Sequence, residues 1–284
     1  MKISAECIRC VLDSAMELMV RQLPEAHHRR IAGELLELAQ QQDWDASPPE
    51  FAEKLYSRLI DCGGHADSFR EAKDRSTELA LQLLPEMRRR IAAAPDEFTA
   101  TVKAVIGGNI IDCGVDRTLD IPEAVSRLRG VFDMELAPEK VRRFQRAFER
   151  AETVFYVLDN CGEAVFDRLL IERCRGRVTL GVRGDFILND ITRRELAASG
   201  LGEFPVLDTG SRTPGVPLGS ANPEFLKAMR AADLVIAKGQ GNFETLTEFD
   251  RPIACLLRVK CPVICRCLAR PAGALELALR NCGD

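Results

Sequence analysis

The sequence predicts an α/β fold: an open, mainly parallel sheet covered by helices on both faces and preceded by an all-helical N-terminal region. Three observations point there. The first 150 residues place apolar side chains at helical spacing. From Thr153 onward, short apolar and β-branched runs alternate with helical patterns, the order from which parallel sheets are built. Residues 153–172, TVFYVLDNCGEAVFDRLLIE, pass from strand through a tight polar turn into a helix in one step.

In the N-terminal region, Cys10, Ala15, Leu18 and Met19 fall on one helical face, and Ile31, Leu35, Leu38 and Ala39 on another. Pro24 and Ser47-Pro48-Pro49 separate these helices, and paired prolines after a serine suit a helix start. Residues 51–60, 67–91 and 97–106 continue the helical pattern, punctuated by Cys62-Gly63-Gly64 and Ala94-Pro95-Asp96. Gly107-Gly108-Asn109-Ile110-Ile111-Asp112 follows. It reads either as a helix C-cap with a turn or as a close backbone approach that presents Asn109 and Asp112 to a ligand. An amphipathic segment at 137–151 leads into the strand at 153–158.

Further strands are expected at 177–182, 204–207, 233–237 and 253–259, with a helix at 192–198 and another opened by Asn222-Pro223. The Gly/Pro-rich stretch 208–217 suits a loop that covers a site. No repeat of 20 to 50 residues is present.

With 284 residues, 46% hydrophobic and 29% charged, the chain can build one large or two modest domains. A formal charge of −4 gives no footprint for nucleic acid or an anionic membrane. MKISAECIRC lacks a signal-type apolar run and no segment reaches a membrane span, so a cytoplasmic setting is expected. The 11 cysteines then read as thiols. A zinc site from Cys7 and Cys10 with Cys261, Cys265 and Cys267 would require the termini to meet; buried thiols acting as small hydrophobes are the simpler reading.

All strand ends of a parallel sheet share one edge, so the polar residues there converge. They are Asp159 and Asn160, Asn189 and Asp190, Lys238, and Lys260. Two carboxylates with neutral amide oxygens make a hard site suited to Mg²⁺ or Mn²⁺. Lysines and the amides of Gly239, Gly241 and Asn242 would then bind phosphate oxygens. That combination serves phosphoryl transfer.

Several other chemistries lack their residues. The Gly239-Gln-Gly-Asn-Phe-Glu244 stretch has Glu244 where a dinucleotide fingerprint needs its third glycine, and no Walker lysine motif occurs. Cys161 stands where haloacid-dehalogenase phosphatases carry their second aspartate. His27, His28 and His65, the only histidines, lie in the helical half, which disfavours a histidine base.

Together, Cys7-Ile-Arg-Cys10, Gly108-Asn109-Ile-Ile-Asp112, Asp159-Asn160-Cys-Gly162-Glu163, Asn189-Asp190, Lys238-Gly-Gln-Gly-Asn242-Phe-Glu244 and Lys260-Cys-Pro262 span nearly the whole chain. In this order they resemble the damage-control metal phosphatases, specifically the stand-alone prokaryotic branch with an N-terminal CxxC. The resemblance implies a helical domain (1–106) on a three-layer, Rossmann-like α/β/α domain (107–284), with 107–151 bridging the two. It also implies hydrolysis of small phosphate esters, such as sugar phosphates and damaged or side-product metabolites, dependent on Mg²⁺, Mn²⁺, Co²⁺ or Ni²⁺. By the same resemblance Asp159, Asn160 and Asp190 ligate the metal and Lys238 binds phosphate. Glu163 and Asn109 fall in matching motifs, Glu163 or Asp112 being placed to orient a water; helix capping is the competing reading of Glu163. Cys161 replaces the small residue more usual there. A carboxyl methyltransferase using S-adenosylmethionine is the runner-up, although the 159–163 turn has one glycine only. A non-catalytic phosphometabolite binder is the third reading. The expected partner is a small phosphorylated metabolite, and the sequence leaves the oligomeric state open.

Overall fold

The computed structural model describes residues 1–64, 66–111 and 121–283. His65 and Asp112 lie outside the described residues. Five helices come first: α1 (Ala5–Gln22), α2 (Glu25–Gln40), α3 (Pro48–Cys62), α4 (Arg70–Ala92) and α5 (Glu97–Gly107). Their starts follow capping chemistry. The Ser4 hydroxyl accepts from the Cys7 amide, Ser47 and Glu50 close a reciprocal box ahead of Pro48 and Pro49, and Asp96 accepts from the Thr99 amide. A 3-10 turn (Gly108–Ile111), α6 (Ile121–Gly130) and α7 (Pro138–Arg150) complete the N-terminal half.

The sheet contains β1 (Thr153–Val157), β2 (Arg177–Val182), β3 (Val206–Asp208), β4 (Leu234–Lys238), β5 (Ile253–Arg258) and β6 (Leu275–Arg280). Helices α8 (Cys161–Ile171), α9 (Pro223–Ala231), α10 (Gly239–Thr245) and α11 (Pro262–Leu268) connect them. The order is β3-β2-β1-β4-β5-β6, with the first five strands parallel and β6 antiparallel to β5. The chain runs outward from β1 to β3 and then returns to the other side of β1 with β4. Such a reversal opens a crevice beyond the carboxyl ends of β1 and β4.

Strand alternation sorts the core. Val154 and Tyr156 of β1 face one side, in a cluster with Ala80, Leu84 and Met87 of α4, Val102 and Val105 of α5, Phe144 of α7 and Phe166 of α8. Phe155 and Val157 face the other, among Phe225 and Met229 of α9 and Phe243 of α10. The sheet is thus covered on both faces, as the alternating strands and helices predict. Helices α1 to α3 have a separate core, including Ile31, Leu35, Phe51 and Leu55, which also buries Ile187 from the sheet half. Among the described residues no helix is long and apolar enough to cross a membrane.

The helix expected at 192–198 is instead a single 3-10 turn, Arg193–Glu195. Thr192 and Glu195 form the capping box of a helix start, but the chain turns back within two residues of Ala198, at Gly200 with φ of 74°. Strand β6 was not anticipated. Its sequence, LELALR, is rich in helix formers, and pairing along β5 overrides that preference.

Candidate active site

Strand β1 ends at Val157, and Asp159 and Asn160 follow before α8 begins. Asn160 occupies the N-cap position, yet its side chain makes no capping bond. Its amide nitrogen donates instead to Asp159 Oδ2 at 3.1 Å and Glu163 Oε2 at 3.3 Å. Two carboxylate acceptors orient this amide, so its carbonyl oxygen is the atom left to present elsewhere.

The second acidic element reaches Asp159 through the backbone. Asn160 and Asp190 form an isolated antiparallel bridge, in which the Cys161 amide donates to Asn189 O at 3.1 Å and the Ile191 amide to Asp159 O at 2.9 Å. Residues 30 apart in sequence therefore become side-by-side neighbours. Leu188, just before them, holds φ of 45°, a conformation that costs a non-glycine residue about 1–3 kcal/mol and clusters at functional sites.

Arg183, immediately after β2, was not singled out in the sequence. It is fully enclosed and donates from Nε to Asp190 Oδ2 at 2.6 Å, from Nη2 to Asp159 Oδ1 at 3.3 Å and from Nη1 to Asn242 Oδ1 at 3.1 Å. Its signal was available: it is a cation at a strand's carboxyl end, like Lys238 and Lys260.

Lys238, expected at the phosphate, is wholly buried. Its ammonium donates to Glu163 Oε1 at 2.5 Å and Val105 O at 3.1 Å, and lies 2.8 Å from Asp167 Oδ1. Burial alone would depress its pKa, but Asp167 and Glu163 outweigh that and raise it, keeping the ammonium charged. Asn109 also turns to Glu163, donating to Oε2 at 2.7 Å. The Asn242 amide nitrogen donates to Leu158 O and Lys238 O, tying α10 to the ends of β1 and β4.

A cavity of about 610 Å³ lies over this edge of the sheet. Asp159, Asn160, Asn189, Asp190, Gly241 and Lys260 border it. Cys7 and Cys10 of α1, Pro48, Pro49 and Tyr56 of α3, and Pro214 of the 208–217 loop supply much of the opposite wall. Glu163, Lys238, Asn109, Gly239 and Asn242 do not border it; they form the layer behind.

The termini do meet, since Cys7, Cys10 and Cys261 border this cavity and Arg266 pairs with Glu6. Among the described residues, however, no three His, Cys, Asp or Glu side chains are grouped as a metal chelate. A cation at the acidic end would have the Asp159 and Asp190 carboxylates, with the Asn160 carbonyl oxygen as a neutral donor beside them. The charge balance suits one. Four buried carboxylates, Asp159, Glu163, Asp167 and Asp190, share two fully buried cations, Arg183 and Lys238. Burial, then the nearby Glu163 and Asp190, push the Asp159 carboxyl well above the usual range, against the pull of Arg183 and Lys260. An oxygen set with excess negative charge fits a hard divalent ion.

Cys161 is enclosed, its thiol 3.8 Å from Asp190 O and its pKa pushed well up by burial, as befits an inert thiol.

Comparison with known proteins places the chain in a family. Residues 3–275 match the family described as the damage-control phosphatase ARMT1-like domain. A damage-control phosphatase of Pyrococcus horikoshii is 34% identical over 292 aligned positions, covering 99% of each chain. A damage-control phosphatase of Archaeoglobus fulgidus is 30% identical over 76% of each chain. The crystal structure of a DUF89 family protein from Pyrococcus horikoshii superimposes with a TM-score of 0.88 at 31% identity, over 99% of both chains. The sequence resemblance and the α/β fold are both confirmed, and the relatives' names support a phosphatase role. The chain belongs to the damage-control phosphatase family with the ARMT1-like domain.

Proposed function

We propose that this protein hydrolyses small phosphate monoesters in the cavity above β1 and β4, with a divalent cation held by Asp159, Asn160 and Asp190. One observation carries the reading: these side chains converge on one wall of the cavity at the sheet's crossover point, with exposed Lys260 on the same cavity. When bound, such a cation supplies Lewis acidity toward the phosphoryl group.

The protein's own residues do the rest. Asp159 and Asp190 provide the anionic oxygens, and Glu163 orients Asn160 by accepting from its amide nitrogen. Lys238 acts from behind by fixing Glu163. Lys260, on the cavity itself, meets the phosphate oxygens and offsets charge as the ester bond breaks. The α1, α3 and 208–217 walls contact the organic part of the ester, leaving the acidic wall to the phosphoryl group and to the water that displaces the alcohol. A cavity of about 610 Å³ suits a sugar phosphate or a phosphorylated side product of similar size.

Phosphate release from a panel of sugar phosphates, with Mg²⁺, Mn²⁺, Co²⁺ or Ni²⁺ in turn, tests the reading. Release with at least one pair supports it. Tight binding of an ester without release in any metal would make the protein a binder instead.

A further inference from the structure

We infer that Arg183 is a positioning residue that holds Asp159 and Asp190 at a fixed separation, so that the cation site stands formed before any cation arrives. The inference rests on the proposed function above and adds a residue behind the cavity to it.

The geometry has three parts. First, the guanidinium spends its donors in three directions, on Asp190, Asp159 and Asn242, which follow β2, β1 and β4 respectively. A planar fork fixes the relative placement of its acceptors in a way that a single-point cation cannot. Second, its own backbone is anchored. The Arg183 amide donates to Ile191 O at 3.1 Å and the Gly184 amide to Ser211 O at 2.9 Å. A β-carbon at Gly184 would come within 2.6 Å of the Gly210 backbone, so this strand exit packs directly against the 209–211 segment. Third, Arg183 is 1% exposed and does not border the cavity. It engages one oxygen of each acid from the side away from the ligand, which makes it a support for the acids rather than a group that touches substrate.

A lone pair of buried carboxylates would repel and spread. Arg183 cancels that repulsion while setting the spacing. Residues behind a metal's ligands that orient them typically change affinity or activity by about 10–100-fold when altered.

Arg183→Lys separates geometry from charge, because it keeps the cation and loses the fork. Mn²⁺ affinity is read by titration calorimetry on wild type and Arg183→Lys, well below the variant's melting temperature. The expected result is a Kd weakened by about 10-fold or more, with a matching rise in the Mn²⁺ concentration needed for half-maximal phosphate release. KM for the ester at saturating Mn²⁺ should change by less than about 2-fold. An unchanged Kd in folded Arg183→Lys overturns the inference and leaves the proposed function standing. Absence of Mn²⁺ binding by wild type overturns the proposed function itself.

If Arg183→Lys does not fold, hydrogen exchange on wild type decides. A preformed site predicts that the Arg183, Cys161 and Ile191 amides are already protected before Mn²⁺ is added. Protection that appears only after Mn²⁺ is added contradicts it.

Discussion

The α-carbon of Gly239 lies so close to the Asp159 side chain that a β-carbon there would overlap Oδ2. Gly239 also holds φ of 79°, a left-handed conformation that costs other residues about 1–2 kcal/mol. The turn from β4 into α10 thus has the Asp159 carboxylate as its neighbour, and only glycine leaves room for both. Gly239→Ala should therefore displace Asp159, lowering Mn²⁺ affinity and phosphate release by about 10-fold or more. Calorimetry and a phosphate assay check this; wild-type values in both would show that Asp159 tolerates the shift.

Lys238 provides a second test, because its surroundings are charged and dry. Removing one member of a buried ion pair typically costs about 3–5 kcal/mol. Lys238→Met leaves Glu163 and Asp167 facing each other without their shared cation. Denaturant unfolding should show a loss of that size. Lys260→Met, at an exposed position on the cavity, should leave stability nearly unchanged and raise KM. The reverse pattern would assign the phosphate contact to Lys238.

Much of this site was legible because parallel strands send their carboxyl ends to one edge. Asp159, Asn160, Asn189, Asp190 and Lys260 follow from that rule, and all border the cavity. Depth was not legible. Nothing in Lys238-Gly239 distinguishes a lysine that faces the cavity from one that turns back toward Glu163 and Asp167. Arg183 obeys the same strand-end rule, but a strand-ending arginine reads as a solvated exit until its three acceptors are in place. In the fold, β1, β2, β4 and β5 announced themselves by apolar and β-branched runs. β6 did not, because its Leu, Glu and Ala favour a helix although Leu275, Leu277 and Leu279 alternate; in the structure Glu276 is buried against Lys140 and Arg270.

Glu244 gives a pH-dependent prediction. Burial pushes its carboxyl up to about 7 from an ordinary value of 4.5, while Gln240 and the chain's amino terminus pull it down less strongly. The folded protein therefore holds this proton where the unfolded chain has released it. Stability from this group is fully present below 4.5 and is lost as pH rises through about 7. Glu244→Gln removes the titration. Its melting temperature should exceed that of wild type near pH 8, by the equivalent of about 1–3 kcal/mol, and the gap should close toward pH 4.5. A gap independent of pH would place the effect elsewhere.

Thiol reactivity separates the cysteines. Cys10 and Cys267 are exposed, whereas Cys161 and Cys255 are buried. Burial raises the Cys161 thiol well above its ordinary value and the Cys255 thiol to about 12. Brief treatment of the native protein with iodoacetamide should label Cys10 and Cys267 and spare the buried pair until denaturant is added. Native labelling of Cys161 would mean that the turn after β1 opens readily.

The central claim is that Asp159 helps hold a cation on which phosphate release depends. It is tested most directly with an aryl phosphate in metal-depleted buffer, before and after addition of Mn²⁺, for wild type and Asp159→Asn. The account predicts release by wild type only with Mn²⁺, and a loss of at least about 10-fold, the lower bound for residues behind the ligands, in a folded Asp159→Asn. Equal release by the two proteins, or release by wild type that ignores the metal, would contradict it.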